Sequence, residues 1–237
     1  GNLRNAIARD AYAVFGVLAS RKEEIAVAFN EYAATIADEY SAIEPNYELT
    51  LESVEQPEFT IDETTTHNLV RALHCAPHGV MAMSQDIPGL VETSTNLAAV
   101  KMKPNNEILI TTSQRSSVES RKWDVAQQVA DVFTLAGAQV KHGGGYPGWK
   151  PNTKSPIVAV ACDAYKELYG VAPAVKAMHA GLECGLFLTK YPHLDMVSFG
   201  PTLIGVHSPS EKMHIPAVVK FWDHLKLIIT KVADLKK

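Results

Sequence analysis

The stretch "FGPTLIGVHSPSEKMHI", residues 199–215, carries the side chain best suited to metal chemistry. His207 lies between a glycine-containing apolar run and a Ser-Pro turn, four residues before Glu211. A neutral imidazole suits zinc and similar cations, and a carboxylate close by can orient the ring from behind. Spacing alone leaves another reading open, because a lone loop histidine is more often a surface or core residue. A catalytic zinc takes about three protein ligands and a dizinc centre takes more. Spacing supplies no such set here.

Other residues offer binding chemistry. In "HAGLECG", residues 179–185, small residues precede a helix start, and backbone N–H groups there can hold a carboxylate. Gly181 and Glu183 belong to this stretch, although tight helix–strand packing favours the same Gly and Ala. Arg115 ends "EILITTSQR" and could clamp a carboxylate with two parallel hydrogen bonds. A solvated strand-end arginine is the commoner outcome on sequence grounds. Asn5 and Asn96 each read as a polar contact or a turn residue. His193 and Asp195 have the H-x-D spacing of many metal sites, but they precede their expected strand and so read as surface residues. The glycine run "GGGYPGW" lacks the Lys-Ser/Thr of a phosphate loop, and no G-x-S-x-G elbow occurs. Cys75, Cys162 and Cys184 are odd in number and scattered, which predicts free thiols in a reducing compartment and no structural zinc site.

These residues must be positioned by elements that periodicity predicts. Residues 11–18, "AYAVFGVL", read as a buried strand. A helix follows over 20–40, with Ser20 as N-cap and Ile25, Phe29, Tyr32 and Ile36 on one face. Residues 47–54 alternate as a strand, and 60–76 form a helix stopped by Pro77. Two strands, 90–103 and 107–115, meet at "PNN" and predict a hairpin. A helix over 117–137 ends at Gly137, and "AQVKHGG" reads as another strand. The expectation for residues 1–147 is an α+β domain, an antiparallel sheet with helices. "GGGYPGWKPN", residues 143–152, is the main break, either a hinge between domains or a long turn within one. Beyond it, helix 155–170, strand 174–178, helix 181–191, strand 195–200 and helix 215–237 alternate as in a parallel α/β sheet. Ligands of such sheets gather beyond the carboxyl ends of the strands. By that rule the loops at His179 and His207 share one edge.

The chain has 237 residues, 46% hydrophobic and 20% charged, enough for two modest domains with real cores. A net charge of −4 gives no electrostatic reason to expect nucleic acid or a membrane surface. No apolar run is long enough to span a bilayer. Gly1 opens straight onto "NLRNAIARDAYAV" with no secretory leader pattern. A cytoplasmic piece of a longer protein is the expectation.

Taken together, "NLRNAIARDAYAV", "PHGVMAMSQDIPGLVETSTNLAAV", "QRSS", "GGGYPGWKPN", "HAGLECGLF", "DMVSFGPTLIGVHSPSEKMHI" and "FWDHLKLII" occur in an order that resembles the aminoacyl-histidine (Xaa-His) dipeptidases, or peptidase D, of bacteria. These are dizinc exopeptidases related to carnosinase. The resemblance covers essentially the whole chain. It implies a catalytic α/β domain with an inserted α+β lid. Residues 1–147 would be the lid without its first strand and helix, and 148–237 the C-terminal segment of the catalytic domain.

The resemblance also implies roles. His207 falls on the family's last metal ligand, Asn5 and Arg115 on substrate-binding lid positions, and Gly181 and Glu183 where the substrate's carboxylate end is held. In such an enzyme two zinc ions activate a water that attacks a dipeptide ending in histidine. The family's H-x-D motif, bridging aspartate, Glu-Glu pair and further metal-binding aspartate are not in this sequence. It therefore holds no catalytic residue of its own, and the expectation is an inactive portion of a zinc dipeptidase, with a homodimer contact in the lid. The alternatives are a lid or oligomerisation module, and a hydrolase of other N-acyl amino acids.

Overall fold

A computed structural model describes residues 1–150, 152, 154–177, 183–206 and 210–233. The chain forms two compact units, Arg9–His74 on its own, and Gly1–Ala8 together with Cys75–Lys237. Among the described residues no helix is long and apolar enough to cross a membrane.

The first unit is built on two helices, α1 (Lys22–Tyr40) and α2, which runs Glu63–Cys75 and ends one residue past the unit. The expected cap at Ser20 does not form. Ser20 lies inside a 3-10 turn, Ala19–Arg21, and the helix starts after it with no side-chain cap. The Arg21 guanidinium instead grips Glu24 with two bonds of 2.9 and 2.8 Å and holds its carboxyl below the usual range. Ile25, Phe29 and Ile36 are half-buried as their spacing predicts, while Tyr32 is exposed. Asp62 caps α2 by accepting the Thr65 N–H at 2.9 Å.

Residues 11–18 and 47–54, expected as strands, take no strand structure, and Tyr12 and Leu18 are 94% and 71% exposed. A strand satisfies its backbone only against another strand. Neither segment finds a ladder partner among the described residues.

The second unit is ordered by an antiparallel sheet in the order β1 (Gly79–Met83), β2 (Val91–Met102) and β3 (Ile108–Ser116). The predicted β2–β3 hairpin closes through Lys103 N–H to Glu107 O at 2.8 Å and Asn106 N–H to Lys103 O at 3.1 Å. Asn106 takes φ 61°, a left-handed conformation that asparagine tolerates better than most residues. On the covered face, Thr93 and Ser116 are a directly opposed pair whose hydroxyls meet at 2.8 Å. Gln114 donates to Thr95 at 3.0 Å beside them.

Helix α3 (Glu119–Leu135) packs on the sheet and buries Val125, Ala126, Val129, Ala130 and Phe133. It ends as predicted at Gly137, where φ is 88° and the Gly137 and Ala138 N–H groups bond Thr134 O and Phe133 O, each at 2.9 Å. The strand expected at 138–144 is absent, for want of a neighbouring strand.

Three further helices follow, α4 (Pro156–Tyr169), α5 (Glu183–Lys190) and α6 (Ile215–Val232). Buried Ser155 caps α4 by accepting Val158 N–H at 3.2 Å, Pro156 opens the helix, and Gly170 closes it at φ 72°. Ala161, Ala164 and Ile228 form the contact between α4 and α6, with Ile157, Val197, Phe199 and Leu227 around it. His224 is buried there. Its Nε2–H donates to the Ala161 carbonyl at 2.7 Å, and the ring lies between Tyr165 and Phe199, with centroids 5.3 and 5.0 Å away.

The parallel sheet expected of this half is not formed among the described residues. Residues 174–177 and 195–200 are irregular, and the remaining strand structure is a two-residue pairing of β4 (Leu203–Ile204) with β5 (Lys212–Met213). Val197 and Phe199 still pack against the α4–α6 core, but no strand of the described residues pairs with them. The architecture is thus a mix of helices and an antiparallel sheet.

Replacing Ser155 by Ala removes the acceptor for Val158 N–H, and we expect a loss of about 1 kcal/mol in urea unfolding followed by circular dichroism, largely restored by Ser155→Asp. An unchanged midpoint for Ser155→Ala would remove the capping role.

Candidate substrate-binding face

Side chains alternate along a strand, and directly opposed residues of neighbouring strands share a face. The β2–β3 register opposes Ser94 with Arg115 and Asn96 with Ser113. These four side chains therefore line one face of the hairpin, opposite to Thr93, Thr95 and Ser116. Arg115 is half-buried near the end of β3. Its guanidinium makes no ion pair with a described residue.

Asn5 reaches the same face by way of Asn96. The Asn96 Nδ2 donates to Arg4 O at 3.2 Å and to Ala6 O at 2.8 Å, the two carbonyls that flank Asn5. This pins the exposed turn carrying Asn5 across ninety residues of chain. Both acceptors are carbonyls, so the amide orientation is settled, and the buried Oδ1 has no described partner. Asn96 is thus a polar contact, one of the two readings of its sequence position, and its partner segment is what the sequence does not show. The signal was a carboxamide set mid-strand among apolar and hydroxyl residues.

Glu183 is exposed in the first turn of α5. Burial pushes the neighbouring Cys184 thiol up, and Glu183 adds to the shift. Helix α5 approaches the end of β3 through the glycine-rich stretch. A Cβ on Gly185 would lie 2.7 Å from Pro147 O, and one on Gly148 would lie 2.8 Å from Ser116 O, next to Arg115. Gly181 and His207 lie outside the described residues, as does His179. Glu211, near His207 in sequence, is exposed.

His193 and Asp195 are both exposed, and Asp195 has a structural task. Its Oδ2 accepts the Ile157 N–H at 2.9 Å at the start of α4. The expected strand after it is absent, so the strand-edge reasoning does not apply; helix capping accounts for the residue instead. All three cysteines are unbridged. Among the described residues no three His, Cys, Asp or Glu side chains gather to hold a metal ion. The described residues alone therefore do not fit a zinc centre. What they offer is a cationic, hydrogen-bonding face suited to a carboxylate.

The chain is 37% identical over 232 residues to the cytosol non-specific dipeptidase of Escherichia coli (strain K12), covering 98% of this chain and 48% of that protein. Its structure resembles that of aminoacylhistidine dipeptidase from Vibrio alginolyticus, with a TM-score of 0.77 and 37% identity over 90% of this chain and 43% of that one. Aminopeptidase PepT from Bacillus cereus shares the fold more distantly, with a TM-score of 0.56 and 20% identity over 71% of this chain and 45% of that one. The chain thus spans about half the length of the relatives it matches. Residues 9–231 match Peptidase family M20/M25/M40, and the chain belongs to that family.

Proposed function

We propose that this chain is the C-terminal portion of a zinc-dependent dipeptidase that hydrolyses Xaa-His dipeptides. Residues 1–147 form its lid, lacking the first strand and helix of such a lid, and residues 148–237 form the last segment of its catalytic domain. Arg115 clamps the dipeptide carboxylate, Asn5 contacts the substrate, and Gly181 and Glu183 border the carboxylate end. His207 supplies one metal ligand, while the other ligands and the general base belong to a segment this chain does not carry. The chain alone is inactive. The complete enzyme is cytoplasmic and dimeric.

Arg115 carries this reading. A guanidinium held half out of water without a described carboxylate gains most when an anionic ligand arrives, since charge-assisted pairs strengthen as water is excluded. Asn5 is tied to the same sheet face. A dipeptide has one carboxylate for such a clamp. The identity to a dipeptidase runs along nearly the whole chain and supports the substrate class. Cytoplasmic residence is in keeping with three unbridged cysteines.

The metal assignment is tested by zinc content after loading and desalting, beside a His207→Ala variant. Near-zero zinc in both is expected, together with no metal-dependent hydrolysis of Xaa-His dipeptides. Stoichiometric zinc that the variant loses would mean the chain builds its own centre. In the complete enzyme, Arg115→Met should lower kcat/KM for Xaa-His dipeptides by about 10- to 100-fold, corresponding to the ~1.5–3 kcal/mol typical of hydrogen bonds to charged groups. An unchanged value would remove Arg115 from the substrate site.

A second reading is favoured by a separate observation. Ile215, Val219, Trp222 and Ile229 recur along α6 at helical spacing and are 79%, 63%, 56% and 63% exposed. A chain that serves only as an interaction module would hide such a stripe by self-association. Light scattering over a range of concentrations decides this, and a monomer throughout counts against the module.

A further inference from the structure

The glycine-rich stretch before α4 has the composition of a flexible linker. Its contacts are those of a fixed strap. Glu119, the first residue of α3, accepts the Gly148 N–H on Oε2 at 2.9 Å and the Trp123 Nε1–H on Oε1 at 2.9 Å. Lys122 pairs with the same carboxylate and donates to Tyr146 O at 2.8 Å. The Lys122 side chain is 13% exposed and the Glu119 side chain 48%, so the ammonium is sheltered while the carboxylate lies at the surface. Burial alone would raise the Glu119 pKa. Lys122 and the two N–H donors overcome that and hold it below the usual carboxylate range, so the acceptor is ionised at neutral pH.

The strap is then gripped from both sides. Gly148 lies against the backbone of Ser116 and Ser117, where an added Cβ would meet atoms at 2.8 and 2.9 Å. Gly185 of α5 lies against the Pro147 carbonyl, where an added Cβ would meet it at 2.7 Å. Both glycines are required by close backbone approach, not by freedom of φ. At the two ends, His142 sits edge-on to Trp123 at 5.8 Å, and Lys150 pairs with Asp86 at 3.3 Å.

We infer that residues 142–150 are a rigid strap locked by Glu119 and Lys122, which docks α5 onto the junction of β3 and α3. The strap then couples the strand end carrying Arg115 to the helix start carrying Glu183. With eight residues, α5 is too short to hold itself together, so its order depends on that docking.

Chymotrypsin cleavage at Tyr146 and Trp149, with hydrogen exchange of 183–190, tests this on the 237-residue chain. The wild-type chain should resist cleavage there. Glu119→Ala should speed both cleavage at the strap and exchange in α5 by about tenfold or more, with exchange across β2 and β3 unchanged. Gly185→Ala should speed exchange in α5 while leaving β2 and β3 alone. Rapid wild-type cleavage at Tyr146, or a freed strap with α5 unaffected, would overturn the inference. Should Glu119→Ala speed exchange across β2 and β3 as well, Glu119→Gln decides the matter, since it keeps the side-chain length while losing the charge and one of the two acceptor oxygens. It must still loosen strap and α5 together, and no effect on either would equally overturn the inference.

Discussion

The β2–β3 ladder is the interaction on which the site depends. Its register decides which side chains share a face, because the side-chain period of a strand is two residues. A slip of one residue would exchange Arg115 and Asn96 with neighbours that belong on the covered face. The guanidinium would then be driven toward the buried Thr93 and Ser116 hydroxyls. Several local devices resist that slip: the left-handed Asn106 at the turn, the Thr93–Ser116 hydroxyl pair, and the Gln114–Thr95 bond. The β1 side adds another, where the His78 Nδ1 accepts the Leu97 N–H at 3.0 Å beside the irregularity in β2.

What was legible in the sequence divides along the same physical line. Helices satisfy their own backbones, so periodicity and capping residues sufficed for α1 to α6, with the misplaced cap at Ser20 as the exception. There the helix begins after the 3-10 turn that contains Ser20, with Arg21 paired to Glu24. Strands depend on a partner. The β2–β3 pair was readable because its partner lies just across a short turn. Residues 11–18, 47–54, 138–144, 174–178 and 195–200 have strand-like composition, yet their described residues have no ladder to join. The opposite error is β1, which is short, begins at a glycine with φ 95°, and pairs irregularly with β2.

The site was legible to a different degree. The position of Arg115 at a strand end could be read directly. That Asn5 shares its sheet face could not, because the link is a single carboxamide reaching ninety residues back along the chain. The strap was read as a hinge candidate from its glycines. In the structure one of those glycines, Gly148, is a point of close contact, as is Gly185 of α5, and composition cannot distinguish a glycine kept for mobility from one kept for proximity. Gly181 and His207 lie outside the described residues, so their roles rest on family resemblance and not on geometry.

The exposed stripe of α6 bears on the proposed function through packing. Helices of layered α/β proteins bury one face against a sheet. Here α4 and α6 bury small residues, Ala161 and Ala164, against Ile228, and this helix–helix contact leaves Ile215, Val219, Trp222 and Ile229 without cover. Val175 is 65% exposed in a segment of strand composition without strand structure. Helices with an open apolar face and strand-like segments without neighbours lack the same thing, a sheet between them. A self-contained interaction module would need to cover that face with another copy of itself. A portion of a larger peptidase would cover it with its own remaining strands, and would also turn the irregular 174–177 and 195–200 segments into paired ones. The second arrangement resolves both deficits with one partner, which is why the dipeptidase reading is preferred here over a module acting alone.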